Sequence, residues 1–200
     1  MLHILLRPLT GRARVAPAIL LFLAAVAPPA SAQPADLPPA VAELFKTCGS
    51  LQCEMEIDWK RNNLMLGSLA QIMPEDLYEY KPTDPQESFG QRVMHVATWH
   101  VRILSSLGGK TPTPEINTEA TSKAEILEVM QKAHEYGLAL IQEFGEEGVK
   151  QKVETLPIFG GTSSRQRLIY FLMTHCQDTY GQLVVYLRLN GITPPLSANP

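Results

Sequence analysis

Four histidines, His95, His100, His134 and His175, carry most of the chemical potential of this 200-residue chain. Imidazole titrates near neutral pH, moves protons and ligates divalent metals. His175 falls at helical spacing on one face with Leu172, Cys176, Thr179 and Leu183. An imidazole on an inward face needs partners for both ring nitrogens, so a hydrogen-bonding group, a water or a metal must meet it. His95 sits to one side of the stripe Phe89, Val93, Val96, in company with Arg92 and Trp99, whereas His100 sits nearer its centre. A bundle helix touches two neighbours, so a flank residue can still face inward, and spacing does not choose between the two. His134 lies at the edge of its own stripe and reads as structural or surface. Trp59, Asn62 and Trp99 are candidates to line a pocket, although such residues at helical spacing more often serve as core and satisfied polar groups.

Four amphipathic helices must position these groups. The first is expected from about Glu54 to Met73, with Met55, Trp59, Leu66, Leu69, Ala70 and Met73 on one face. Pro74 stops it, lacking the amide hydrogen and restricting the residue before it. Pro74, Pro82 and Pro85 keep the next stretch from being a long helix. Ser88 is placed to cap a second helix running to about Leu107, where Gly108-Gly109 ends it. A third is expected over 121–145, with Ser122 and Glu125 at capping-box spacing and Ile126, Met130, Ala133, Gly137, Leu140 and Phe144 inward. The segment 146–161 reads as irregular, with a short extended piece between Lys152 and Phe159. A fourth helix is expected from about Ser163 to Leu189, turning Leu168, Leu172, Cys176, Leu183 and Leu187 inward. This pattern predicts an all-α fold, an antiparallel four-helix bundle.

The first 32 residues predict a secretory signal peptide. Arg7, Arg12 and Arg14 precede an apolar run, Val15 to Ala27, that ends before Ala30-Ser31-Ala32, small residues suited to cleavage before Gln33. The run is short of the about 20 residues that span a bilayer. Residues 33–50 form a Pro- and Ala-rich linker, and 51–198 the bundle domain. Cleavage leaves 14 basic residues against 20 acids, a formal charge of −6, which speaks against nucleic acid as a partner. No later apolar run is long enough to be a membrane helix, so no membrane association is expected after cleavage. The expected location is exported, periplasmic or extracellular. Such a compartment permits disulfides. Cys48 and Cys53, expected just before the first helix, are close enough in sequence for a local bridge, and Cys176 is then left over. The pair reads as a staple or two packed thiols, since it lacks the tighter C-x-x-C spacing of redox centres.

The segment from Ser88 through Gln91-Arg92-Val93-Met94-His95 resembles the second-helix signature of the DinB-like superfamily, in which a serine opens the helix and a histidine follows seven residues later. Trp59, the run Met73-Pro74-Glu75-Asp76-Leu77-Tyr78 and Tyr80-Lys81-Pro82-Thr83 agree. So does His175 through Arg188, where Tyr180-Gly181-Gln182 and Tyr186-Leu187-Arg188 match the last-helix pattern. The resemblance covers about 50–198 and implies a DinB-like bundle, with a divalent metal held by three histidines, one from the second helix and two from the fourth at i and i+4. Residues so spaced share a helical face, and a facing helix completes a tripod open to water or substrate. By matching, the ligands are His95, His175 and the residue at 179, and the metal zinc, nickel, iron or manganese. Position 179 is threonine, a poor ligand for such ions. Asp178 is the nearest substitute but points about 100° away around the helix. Cys176 is a soft donor on the inward face, although adjacent residues rarely share one ion, and His100 could take part only if its helix were rotated.

The resemblance therefore implies an exported metal-dependent hydrolase or thiol-transferase-type enzyme with an incomplete histidine triad, acting on a small-molecule substrate. Thr179 favours an alternative, a metal-free module that binds a small ligand. An interaction or scaffold module is a third reading. Family members pair as dimers, so a homodimer is among the assemblies implied.

Overall fold

A computed structural model describes residues 46–195 together with Ala42 and Leu44. The leader and residues 33–40 fall outside the described residues. Four helices dominate: α1 Leu51–Ile72, α2 Phe89–Ser105, α3 Lys123–Gly148 and α4 Arg165–Leu189. A two-stranded antiparallel hairpin joins α3 to α4, with β1 Lys152–Glu154 paired to β2 Thr162–Ser164 and Val153 opposite Ser163. The extended piece is thus shorter than its sequence suggested, because a single helical turn at Pro157–Phe159 interrupts it before Gly160 and Gly161, both at positive φ, reverse the chain.

The helix starts follow side-chain chemistry. Ser88 and Ser122 each form a complete capping box, with Gln91 and Glu125 returning to the cap amide. Ser164, one residue beyond the expected start, caps α4 by accepting from the Arg167 amide. Ser50 caps α1 in the same manner, so the helix begins three residues earlier than expected and Cys53 lies inside its first turn. Cys48 and Cys53 form a disulfide across this cap, while Cys176 is free and buried. The last turn of α3 is broken at Gly145, whose φ of 63° suits glycine.

Around the bundle the order is α1, α3, α2, α4: α1 packs on α3 and α4, and α2 packs on the same two. One core layer joins Leu66, Leu69 and Met73 late in α1 to Phe89 and Val93 early in α2, Ile126 early in α3 and Leu183 late in α4. The other joins Met55 and Trp59 to Leu104, Leu140 and Leu168. Consequently α1 and α4 run one way, against α2 and α3. The long connection from Ser106 to Ser122 is what returns the chain so that α3 can lie parallel to α2. The proline-rich loop before α2 is fixed by the Tyr78 hydroxyl, which donates to the Ala70 carbonyl at 2.6 Å, and by the Gly90 amide, which donates to Tyr78 at 2.8 Å. Among the described residues, no helix is long and apolar enough to cross a membrane.

Candidate functional site

The α2 stripe that enters the core is Val93, Met94, Val96, Ala97, His100 and Ile103. His95 and Trp99 lie one step around the helix, half-buried, on the flank facing α4. On α4, Leu172, Cys176 and Thr179 are buried, and His175 is half-buried on the flank facing α2. The two flanks meet. The rings of His95 and His175 have centroids 5.1 Å apart, inclined at 53°. Phe171, four residues before His175 and thus on its face, stacks parallel to that imidazole at 6.3 Å.

A cleft of about 190 Å³ stands over this pair. Trp99, Ile103 and Phe171 form its sides, and Ile158 and Phe159 from the hairpin reach over it. Phe159 meets Phe171 edge to face at 5.0 Å. Burial is the main influence holding the His175 imidazole below its usual pKa, helped by His95 and Arg92 and opposed by Asp178. Its Nδ1 is buried without a hydrogen-bond partner.

The structure separates His100 from this pair. His100 is buried beside Trp59, with centroids 5.0 Å apart, and its Nε2 lies 3.4 Å from the Leu172 carbonyl. Burial pushes its pKa down to about 3. His134 stacks on the other side of Trp59 at 6.4 Å, and the indole N–H donates to its carbonyl at 2.9 Å. Trp59, Asn62, His100, His134 and Cys176 line a second, narrow cleft of about 20 Å³, room for one water. The Cys176 thiol lies 3.8 Å from the Asn62 carbonyl, and burial pushes its pKa up to about 12. Of the three suggested pocket residues, Trp99 lines the cleft over His95 and His175, and Trp59 and Asn62 line the narrow one.

The donors can be compared with what a divalent ion requires. An ion bound by both rings would stand about 2 Å from each nitrogen and roughly 3.2 Å from each ring centre. The observed 5.1 Å separation of the ring centres leaves room for an ion between them. Two candidate donors are therefore close together. A third is missing: Thr179 is 3 % exposed and offers a neutral hydroxyl. Asp178 is exposed and its carboxylate accepts from the Gln182 amide at 2.8 Å. Among the described residues, no group of three His, Cys, Asp or Glu side chains is placed to hold an ion. The donor set does not fit a tightly held metal.

Sequence reasoning missed Phe171, Ile158 and Phe159. Phe171 carried a signal, its four-residue spacing to His175. Ile158 and Phe159 carried none, because the hairpin has no periodicity to read.

Comparison with known proteins shows what the fold and sequence are similar to. The sequence model of the DinB superfamily matches residues 58–183. The uncharacterized protein YjoA of Bacillus subtilis is 23% identical over 125 residues, 62% of this chain and 81% of YjoA. The crystal structure of that DinB-like protein superposes with a TM-score of 0.57 at 21% identity, covering 70% of this chain and 94% of the other. A DinB-like protein from Bacillus cereus gives a TM-score of 0.58 at 19% identity, covering 70% and 93%.

Proposed function

The chain belongs to the DinB superfamily, and from that premise we propose that it is an exported member that binds a small molecule in the His95–His175 cleft without a tightly held metal. One observation carries the reading: two half-buried imidazoles 5.1 Å apart lie on an apolar cleft, and among the described residues no third ligating side chain joins them. Small-molecule sites are concave and mostly apolar, with a few convergent polar groups. This cleft has that make-up. Its imidazoles supply hydrogen bonds, and its aromatic walls supply contact area.

The test is metal retention. The chain, stripped with chelator, is titrated with zinc, nickel, iron(II) and manganese, and ion content is measured after gel filtration. The reading expects no stoichiometric retention of any of them. One equivalent retained by the unaltered chain, and lost in His95→Ala or His175→Ala, would overturn it.

The second reading is a metal-dependent hydrolase or thiol-transferase-type enzyme, favoured by the closeness of the two rings. In such an enzyme the ion would acidify a bound water or thiol. It requires a third donor from outside the described residues, from the substrate or from a homodimer partner.

A further inference from the structure

Resting on the ligand-binding reading, we infer that the hairpin tip at Ile158 and Phe159 is the roof that selects the ligand, and that the ligand is an uncharged amphiphile: one hydroxyl head on an aryl or short alkyl body. The roof is built to stay in place. The Arg165 guanidinium donates to the carbonyls of Leu107 at 2.8 Å and Gly148 at 3.0 Å, tying the start of α4 to the ends of α2 and α3. The hydroxyls of Ser106 and Thr155 meet at 3.0 Å, and the Thr155 amide donates to Gly161 at 2.9 Å, closing the hairpin. Ile158 is nevertheless 67 % exposed and Phe171, also on the cleft, 41 %. A fixed turn presenting a large exposed aliphatic group beside an open aromatic wall leaves apolar area that a bound body would cover.

The head follows from the polar groups. Among the described residues, the side-chain polar atoms lining the cleft belong to His95, His175 and the Trp99 indole, and burial holds the His175 imidazole below its usual pKa, favouring its neutral form. A neutral imidazole both donates and accepts, which suits a hydroxyl. Three charged side chains stand near the cleft. Arg92 faces Glu87 at 3.4 Å, Asp178 accepts from Gln182, and Arg102 lies against the Trp99 ring at 4.8 Å. A charged head would lose its hydration against walls that are mostly apolar.

The experiment uses the full chain and the neutral fluorescent probe N-phenyl-1-naphthylamine, displaced by 4-propylphenol, 4-methylphenol, propylbenzene and 4-propylbenzoate. 4-Propylphenol should displace the probe at least about fivefold better than propylbenzene or the benzoate. Ile158→Ala, at an exposed position, should weaken 4-propylphenol about five- to tenfold while changing 4-methylphenol less than about twofold. An unchanged ratio of the two phenols in Ile158→Ala would overturn the roof. A preference for the benzoate would overturn the neutral head. In both cases, binding that still depends on His175 would leave the cleft as the site. Failure of the probe and of every phenol to bind would remove the cleft reading as well.

Discussion

Gly137→Ala sets two known effects against each other, and the structure says which wins. Gly137 lies mid-way along α3, where alanine should stabilise a helix by about 1 kcal/mol. A Cβ there, however, would stand 2.5 Å from Trp59 Cε2 and 2.9 Å from Cη2, well inside any real contact distance. The indole is wedged between His100 and His134 and its N–H is bonded to the His134 carbonyl. It cannot move without loosening that bond, worth about 1 kcal/mol, and overpacking a core costs about 1–3 kcal/mol. The net expectation is a loss of about 2 kcal/mol, read as a fall of about 1 M in the urea midpoint. In a Trp59→Leu background the clash disappears, so Gly137→Ala should then be neutral or stabilising. A single substitution that stabilises the protein, or one whose cost is unchanged in that background, would refute the reasoning.

Three further outcomes are expected. His100 titrates near 3 in the fold and near 6.5 as a free imidazole, so the unfolded chain takes up the proton first. Stability should be complete above about pH 6.5 and fall as pH drops toward 3, by about 2 kcal/mol at pH 5; His100→Leu should flatten that slope in urea titrations, with the depressed His134 and His175 leaving a residue of the same sign. Thr179→His places a third imidazole four residues after His175, and should raise zinc affinity on the order of 100-fold by calorimetry, about 3 kcal/mol; no change would mean that position 179 does not face the pair. Ser88→Ala removes a capping box at a fully buried serine and should lower stability by about 1–2 kcal/mol in thermal unfolding.

Much of the bundle was legible because its determinants are local and repeat. The apolar stripes, the stops at Pro74 and Gly108-Gly109, and the caps at Ser88 and Ser122 all correspond to features of the structure. The directions of the helices were less legible: that α3 runs parallel to α2 depends on a long connection whose path no spacing encodes. The histidines divide along the same line. Periodicity put His100 nearest the core, where it lies, but could not say that the flank bearing His95 faces α4 rather than solvent. That depends on which helices are neighbours. The Ile158–Phe159 roof is a further step removed, since an irregular segment reaches the cleft only through long-range anchors such as Arg165 to Leu107.

The central claim is that ligand meets protein at His95 and His175 and nowhere near His100 or His134. Long-range proton–nitrogen spectra of the His95, His100, His134 and His175 imidazoles, recorded while N-phenyl-1-naphthylamine is titrated in, test it most directly. The account predicts that the His95 and His175 ring signals move together and saturate with probe, while those of His100 and His134 stay still. Movement confined to His100 and His134, or saturable binding that leaves all four rings unmoved, would contradict it.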